Sequence, residues 1–586
     1  MLISLRCLQP YSPTKPSASF CSAAKIIIAG LMWMILIANP DVPVNFARAC
    51  HSTVASTNAN SAQETQARIR DIIDSGQLSI LRWPDFSDYR AHLKSFYESS
   101  GYNLAWIQEG QATAPARTMI EVLKLADSKG LNREDYDASR WDARLQELSN
   151  PANAPRFDAA LTICVMRYIS DLRIGRVNPR HFSFGINVER KRYDLAQFVR
   201  SRLANRDGIQ AALAEVEPPF PGYKRTLDVL QHYLKLSEEA DGEKLPETTK
   251  SITPEKEYAG VPRLTRLLRL LGDLPSSANI RPGNVYEGPL VDAVKGFQRR
   301  HGLSSDGVLG PQTVRQLNTP LRDRIEQLRL TLERWRWLPG EFPQPPVVVN
   351  IPEFRLRAFD KHGRVVLSTN VVVGRAYRHE TPVFEDEMQY VVFRPYWNVP
   401  PGIQRSEIMP AIRRDHAYVS KNNYEVITTD GTVVTSGSIS DEVLQQLSDR
   451  RLAVRQKPGP SNALGLVKLI FPNAYNVYLH STPSQQLFSQ SRRDFSHGCI
   501  RVEKAAELAA WALAANKEGW TLKKVLTAMQ GSEDNVQVNL AKPIPVLILY
   551  ATAIVDEEAV AHFFDDIYGY DAKLEKVLAK GYPYPR

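Results

Sequence analysis

The sequence predicts a multidomain α+β protein in which two helical parts precede a mainly β part. At 586 residues the chain is too long for one hydrophobic core, and a domain size of roughly 100–200 residues suggests about three domains. Up to about residue 318 the apolar residues recur at helical spacing. From about residue 345 they alternate with polar residues, as half-buried strands require. These observations place helical domains first and a β-rich domain last.

Composition narrows the class of protein. The chain is 43% hydrophobic and 23% charged, which is typical of a globular protein and not of a disordered one. The net charge of +9 is spread over a long chain, without a dense basic block interleaved with aromatic residues. We therefore expect no nucleic-acid partner, while the mild positive bias is compatible with an anionic cell-wall polymer.

The N-terminus predicts export. Residues 26–38 (IIIAGLMWMILIA) form an apolar run after Lys25, which is short for a spanning helix and typical of a signal-peptide core. Residues 47–49 (ARA) offer a cleavage site. We interpret 1–49 as a signal peptide or an uncleaved N-terminal anchor, with lipidation at Cys50 as a further alternative. All three alternatives place the bulk of the chain outside the cytoplasm. An anchor would in addition associate the protein with the inner membrane.

Three regions follow a polar linker at 50–65. Residues 66–250 have a mainly helical pattern without a cluster of chemically active residues, which favours a helical scaffold domain. At 257–318 we expect a small three-helix domain, because Leu264, Leu267, Leu268 and Leu271 have the i, i+3, i+4, i+7 spacing of an amphipathic helix. The alternating runs that begin near 345 predict the β domain, which we place at 320–586. Its polar stretch 401–460 reads as an insertion, and its last hairpin is expected to span 546–564.

Cys499 is the residue with the clearest chemical potential. Few cysteines follow the predicted export signal, so no disulfide framework is visible, and an unpaired thiol in an exported protein suggests a reactive one. A histidine close by could accept its proton or stabilise the thiolate. Both His480 and His497 are close enough to Cys499 in sequence for this role, and spacing alone does not choose between them. A structural cysteine and a zinc site are the alternatives, and one Cys with two His is a weak zinc set.

Two blocks of sequence resemble known families. Residues 293–298 (AVKGFQ), 301–303 (HGL) and 306–311 (DGVLGP) resemble the type-1 peptidoglycan-binding domain. Residues 479–483 (LHSTP) and 496–502 (SHGCIRV) resemble the signature of the YkuD-type L,D-transpeptidases. The flanking sequences are similar to the long, periplasmic YcbB-like branch of that family. It has a helical scaffold, a peptidoglycan-binding unit and a catalytic domain with a lid insertion, which here would be 401–460.

The resemblance implies an L,D-transpeptidase that forms 3→3 peptidoglycan cross-links through a thioester and releases terminal D-alanine. It implies peptidoglycan stem peptides and glycan as partners, a location in the periplasm or cell envelope, and neither metal nor organic cofactor. An L,D-carboxypeptidase, attachment of a lipoprotein to the wall, and a wall-binding structural protein with an inactive site are the alternatives. The oligomeric state is unknown from sequence.

Specific roles follow from the same resemblance. Cys499 would be the nucleophile and His480 the general base. Ser481 stands where some members of the branch carry Asp, so its backbone carbonyl would orient the histidine. The amide of Gly498 would help to stabilise the oxyanion. Residues expected to contact the substrate are His497, Arg501, Ser496, Tyr396, Trp397 and Asn398.

Overall fold

A computed structural model describes residues 62–204, 208–246 and 250–585. The predicted signal or anchor at 1–49 and most of the linker at 50–65 lie outside these residues. Among the described helices, none combines the length and the apolar composition that a membrane crossing requires.

The first region is helical, as predicted, and is built around one buried helix. Its helices are α1 (62–75), α2 (Arg90–Glu98), α3 (Ala114–Lys124), α4 (Trp141–Glu147), α5 (Ala154–Ile174), α6 (Leu195–Phe198), α7 (Ile209–Val216) and α8 (Pro221–Glu239). A short hairpin joins β1 (Ile107–Gln108) to β2 (Gln111–Ala112). Helix α5 is buried on all sides, and Cys164 within it is fully buried, as its apolar surroundings in the sequence predict.

The second region forms a small helical unit with its own core. It contains β3 (Lys256–Glu257), α9 (Val261–Leu270), β4 (Val285–Tyr286), α10 (Pro289–Arg300) and α11 (Pro311–Leu317). Leu264 and Leu268 of α9 pack with Val294 and Phe297 of α10 in a cluster of buried side chains. The periodicity of the leucines therefore predicted this core correctly.

A long helix leads from this unit into the β-rich region. Helix α12 (Leu321–Trp337) packs against α8 of the first region, and together they hold the hairpin formed by β18 (Ala553–Val555) and β19 (Ala561–Phe563). The predicted hairpin over 546–564 was therefore too long. Residues 546–549 instead belong to a strand of the larger sheet described below. An apolar run of that length pairs equally well with strands that are distant in sequence.

The remaining elements are mainly strands, with groups of helices between some of them. The strands are β5 (Val347–Asn350), β6 (Arg355–Phe359), β7 (Val365–Gly374), β8 (Phe384–Phe393), β9 (Trp397–Asn398), β10 (Tyr424–Thr428), β11 (Val433–Thr435), β12 (Leu452–Gln456), β13 (Val467–Ile470), β14 (Leu479–His480), β15 (Asp494–Ser496), β16 (Ile500–Val502) and β17 (Val536–Leu549). The helices are α13 (Pro401–Ile403), α14 (Met409–Arg414), α15 (Tyr418–Lys421), α16 (Asp441–Ser448), α17 (Ala505–Leu513), α18 (Leu522–Gln530) and α19 (Tyr570–Leu578).

Nine of these strands form a sheet that closes into a barrel. Their order is β15-β7-β16-β14-β13-β8-β17-β5-β6, and β6 also pairs with β7, so only β15 stands outside the closed ring. Most neighbours are antiparallel, but three pairs are parallel: β14 with β16, β15 with β7, and β17 with β5. The fold class predicted from sequence, a multidomain α+β protein with a mainly β domain last, is confirmed.

The insertion predicted at 401–460 folds around a core of its own. Its sheet has the order β11-β10-β12-β9, and α14 and α16 cover it with buried residues such as Ile412 and Leu447. Strand β9 precedes the insertion in sequence but pairs with β12, so it ties the insertion to the barrel. We call residues 401–460 the lid.

A buried carboxylate joins the helical region to the barrel side. Glu333 of α12 accepts hydrogen bonds from the backbone N–H groups of Arg176 and Val177, the latter at 3.1 Å. Its carboxylate also forms ion pairs with the side chains of Arg176 at 3.4 Å and Arg336 at 3.6 Å. All of these groups are buried. Among the described residues Arg336 forms its ion pair with this carboxylate alone, while Arg176 also lies 3.8 Å from a carboxylate oxygen of Asp135.

We expect Glu333→Ala to lower the free energy of unfolding by about 3–5 kcal/mol, because it leaves two buried guanidinium groups without their shared carboxylate. Urea denaturation followed by tryptophan fluorescence measures this. The exposed Glu341 provides the control, and Glu341→Ala should change stability by less than about 0.5 kcal/mol. Equal effects of the two substitutions would contradict the assigned role of Glu333.

Candidate active site

One face of the barrel sheet gathers the chemically active side chains. In the ladders, His480 lies beside Lys468 of β13 on one side and beside Arg501 of β16 on the other. Side chains alternate along a strand, so Tyr478 shares the face of His480 and Cys499 shares the face of Arg501. The intervening residues, such as Leu479 and Ile500, point into the barrel core.

His480 is buried and held in one orientation. Its Nδ1–H donates a hydrogen bond to the backbone carbonyl of Ser481 at 2.6 Å, which leaves Nε2 as the acceptor. Burial, together with the charges of Arg501 and Lys468, lowers the pKa of His480 to about 3. The imidazole is therefore neutral at physiological pH and carries a free lone pair.

The side chain of Ser481 does a different task from its carbonyl. Its hydroxyl accepts hydrogen bonds from the backbone N–H groups of Leu466 at 2.8 Å and Val467 at 3.1 Å. A Cβ at Gly465 would collide with this hydroxyl, so the turn before β13 requires glycine there, at a φ of +63°. The hydroxyl thus fixes the turn, and only the carbonyl reaches the imidazole.

Cys499 is largely enclosed beside Tyr478. Its thiol donates to the carbonyl of Asn476 with a separation of 3.7 Å. Burial raises the pKa of the thiol, while hydrogen bonds from the backbone and side chain of Tyr478 and the charges of Lys468 and Arg501 act in the opposite direction. The Nζ of Lys468 lies 4.0 Å from the centre of the Tyr478 ring. On balance the pKa of the thiol is raised, so the neutral thiol is favoured over the thiolate.

A tight turn presents Cys499. The hydroxyl of Ser496 donates to the carbonyl of Cys499 at 2.6 Å and accepts from the N–H of Gly498 at 3.2 Å. The carbonyl of Gly498 accepts from Thr381 Oγ1 at 2.8 Å. Gly498 has a φ of +113°, which other residues rarely adopt. The hydroxyl of Ser496 is therefore engaged within the turn. The Gly498 N–H would have to release this hydroxyl before it could donate a hydrogen bond to an oxyanion.

His497 connects this turn to the lid. Its Nε2 lies 2.6 Å from a carboxylate oxygen of Glu407, which belongs to the first helical turns of the lid. The ring of His379 lies against the opposite side, with the two ring centres 4.8 Å apart. The lid is thus fastened two residues before the nucleophile candidate.

Arg501 and Lys468 are cations without acidic partners among the described residues. Neither forms an ion pair there, and Arg501 Nε is buried without a hydrogen-bond partner. Burial lowers the pKa of both groups, while the sulfur of Cys499 acts in the opposite direction. The floor of the site therefore carries positive charge that a bound anion would neutralise.

Three residues of the segment that leads into the lid, Tyr396, Trp397 and Asn398, contact the lid. Trp397 and Asn398 pair with Gln456 and Arg455 in the lid sheet. The ring of Tyr396 lies 4.3 Å from the Arg455 guanidinium carbon, and Trp397 packs on the apolar core of the lid. Their predicted contact with substrate, like that of His497 and Ser496, stays a prediction.

Sequence reasoning missed several neighbours of the site. Tyr478 and Lys468 were detectable, since they alternate with buried residues in the two strands beside Cys499. Thr381, His379 and Glu407 were not detectable, because they reach the site from distant segments. Among the described residues no group of His, Cys, Asp and Glu side chains is arranged to hold a metal ion.

Three family models match the chain. Residues 91–230 match a "Scaffold domain", residues 258–317 a "Putative peptidoglycan binding domain", and residues 345–536 an "L,D-transpeptidase catalytic domain". A curated protein of Haemophilus influenzae, described as "Putative L,D-transpeptidase", is 32% identical over 277 residues. That alignment covers 46% of this chain and 54% of the relative, so the chain spans about half the length of that protein.

Two solved structures also resemble part of the chain. A crystal structure of the L,D-transpeptidase from Xylanimonas cellulosilytica is 16% identical, with a TM-score of 0.16, and the match covers 52% of this chain and 100% of that one. An L,D-transpeptidase structure from Stackebrandtia nassauensis is 12% identical, with a TM-score of 0.21, and the match covers 52% and 96% of the two chains.

We expect alkylation of Cys499 by iodoacetamide to accelerate with pH through and beyond about 8.5, the ordinary pKa of a thiol. Burial raises the pKa of this thiol, so its thiolate fraction is small at neutral pH and grows as the pH rises. Peptide mass spectrometry measures the rate at Cys499, and the fully buried Cys164 should stay unmodified in the folded protein. A rate that reaches its plateau below pH 7 would show a preformed thiolate and contradict this expectation.

Proposed function

We propose that this chain, which carries an L,D-transpeptidase catalytic domain after a scaffold domain and a peptidoglycan-binding domain, forms 3→3 cross-links in peptidoglycan through a thioester on Cys499. The observation that carries this proposal is the shared sheet face on which Cys499, His480 and two unpaired cations meet. A nucleophile, a base and an anion-binding floor are what acyl transfer from an anionic peptide requires.

In the proposed mechanism His480 is the general base. Its neutral imidazole, oriented by the Ser481 carbonyl, can accept a proton through Nε2. Because burial favours the neutral thiol, deprotonation accompanies attack on the substrate instead of preceding it. The positive floor stabilises the sulfur as its charge develops, and Tyr478 supports it by hydrogen bonding.

The reaction proceeds in two acyl transfers. The sulfur of Cys499 attacks the carbonyl carbon of the third stem-peptide residue, a diamino acid. The bond from that carbon to the nitrogen of D-alanine breaks, and the proton held by His480 passes to the leaving amine. The side-chain amine of a second stem then attacks the thioester carbon and gives its proton to His480. The carbon–sulfur bond breaks as the new amide bond forms, and His480 returns the proton to the sulfur, which regenerates the thiol.

Arg501 is the proposed contact for a carboxylate of the donor stem. The guanidinium is half-buried beside Cys499, and its Nε lacks a partner, so a carboxylate would satisfy both its charge and its N–H group. Lys468 lies on the same face, across His480, and adds to the attraction. The amide of Gly498 is the proposed oxyanion donor, once it releases Ser496.

The lid is proposed to keep water from the thioester. Its attachment through Glu407 and His497 places it next to the nucleophile. Excluding water favours transfer to an amine over hydrolysis, which separates a transpeptidase from an L,D-carboxypeptidase. The partner of the binding domain would be peptidoglycan, and the protein would act in the cell envelope, with its N-terminal segment as export signal or inner-membrane anchor.

Incubation of the protein with purified peptidoglycan monomers tests the reaction. We expect the protein to convert disaccharide tetrapeptides into 3→3 dimers with release of D-alanine, as seen by chromatography and mass spectrometry, and Cys499→Ala to abolish both products. Cys164→Ala is the matched control and should remain active in its folded fraction. Tripeptide monomers without dimers would indicate an L,D-carboxypeptidase instead, and a lipoprotein adduct would indicate attachment of a lipoprotein to the wall. Equal products from the unaltered protein and from Cys499→Ala would overturn the proposal.

We expect Arg501→Met to raise the KM for the tetrapeptide donor by about tenfold or more, because a hydrogen-bonded charge pair contributes roughly 1.5–3 kcal/mol. Arg501→Lys should recover part of the loss, since the charge returns without the planar fork. The exposed Arg364 serves as control, and Arg364→Met should leave KM unchanged. An unaltered KM in Arg501→Met would exclude the proposed carboxylate contact.

A further inference from the structure

A cleft with a volume of about 420 Å³ lies where the small helical unit meets the rest of the molecule. Its walls come from the end of α8, from α9, α10 and α11, from the start of α12, and from β19. This volume is within the range of about 300–1,000 Å³ that is typical of small-molecule sites. The cleft is separate from the sheet face that carries Cys499, and no residue of that face lines it.

Arg324 of α12 gives the cleft an unusual charge. It is 5% exposed, and its guanidinium donates to Gln327 Oε1 at 2.9 Å and to the side chain and backbone oxygens of Gln316 at 2.6 and 3.1 Å. These partners are neutral, and no ion pair joins Arg324 to a carboxylate among the described residues. Burial lowers the pKa of Arg324 to about 10, the sign of a cation with too little compensating charge.

Comparison with the other buried arginines shows that a guanidinium without an acidic partner at the wall of a cleft is unusual in this protein. Within the same cleft, Arg300 is paired with Asp273, with a contact of 2.7 Å, and Arg263 with Asp241 at 3.0 Å. Arg167 and Arg493 lack acidic partners too, but backbone carbonyls hold their guanidinium groups, and neither residue lines the cleft. Arg324 is thus a buried cation, short of negative charge, at the wall of an open cleft.

Apolar side chains form one side of the cleft, and positively charged residues predominate among its other charged lining residues, which are Lys244, Arg263, Arg300, Arg322 and Glu243. Phe297 stacks on His301 with ring centres 3.7 Å apart, and Phe563 lies on the far side of the same imidazole. Burial and the neighbouring arginines hold the pKa of His301 well below its usual range, so this ring adds no charge. Leu267 and Leu271 complete the apolar side. The cleft therefore suits a small apolar group that carries a carboxylate.

We propose that this cleft binds a carboxylate of an uncross-linked peptidoglycan stem peptide, with Arg324 as the residue that pairs with it and the leucine and phenylalanine side chains around an alanine methyl group. This inference rests on the proposed function, since it names which part of peptidoglycan the accessory site holds. The glycan strand offers no free carboxylate here, because its lactyl carboxyl is joined to the stem by an amide bond. The second site would hold the wall polymer while Cys499 acts on another stem.

Hydrogen–deuterium exchange can locate binding at the cleft and at the catalytic face separately. The full chain with Cys499→Ala, which prevents turnover, is mixed with a disaccharide tetrapeptide. We expect slower exchange in peptides that cover 237–246 and 316–324, in addition to those around 476–501. In Arg324→Met the protection at the cleft should require about tenfold or more ligand, while protection at the catalytic face is unchanged.

Two further variants separate binding from folding. Arg281→Met removes an exposed arginine of the same helical unit and should leave both protections intact. Ser237→Trp narrows the cleft from an exposed position of α8 and leaves Arg324 in place, so it should weaken protection at the cleft even if Arg324→Met folds poorly.

Ligand variants identify the chemistry. N-acetylglucosamine oligosaccharides and inorganic phosphate should give no protection at the cleft, and a tetrapeptide with its carboxylates amidated should give none either. Protection at 476–501 without protection at the cleft would overturn this inference and leave the proposed function standing. Equal protection by the oligosaccharide, by phosphate or by the amidated peptide would also overturn it, and protection at neither place would count against both proposals.

Discussion

The parallel pairing of β14 with β16 is the constraint on which the candidate site depends. It sets His480 beside Arg501, and the alternation of side chains then brings Tyr478 and Cys499 to the same face. A shift of the register by one residue would turn all of these side chains into the barrel core and expose Leu479 and Ile500. Because those two residues are fully buried, the hydrophobic core enforces the register that the chemistry needs.

Burial gives this site its electrostatic character. The same enclosure keeps His480 neutral and Cys499 protonated, and it leaves Lys468 and Arg501 without acidic partners among the described residues. In water the two cations would be well solvated and would need no acidic partner. In a partly buried site, a cation without a countercharge is costly. The same reasoning applies to Arg324 in the cleft beside the small helical unit, where burial also lowers the pKa of a cation.

Contacts between regions fix the arrangement around the barrel. One continuous apolar core runs from α5 through Trp337 of α12 to the barrel strands, and the buried carboxylate of Glu333 lies on the same helix. The lid has its own core but is joined to the barrel by β9 and to the turn before Cys499 by Glu407. The β9–β12 pairing and the Glu407–His497 contact therefore hold the lid beside the turn that carries Cys499.

The sequence by itself determined the order of helical and β regions and the helices of the small unit, and it singled out Cys499 as the candidate nucleophile. These follow from local periodicity and from short motifs, which depend on neighbours in the chain. Spacing could not choose between His480 and His497. Only the tertiary structure gave them different surroundings: His480 is buried on the face of Cys499, and His497 is turned to Glu407 of the lid. It alone also brought Lys468, Tyr478 and Thr381 to the site and left Arg324 without an ion pair among the described residues. Those relations join residues far apart in sequence, and they arise from strand register and domain packing, which no local pattern encodes.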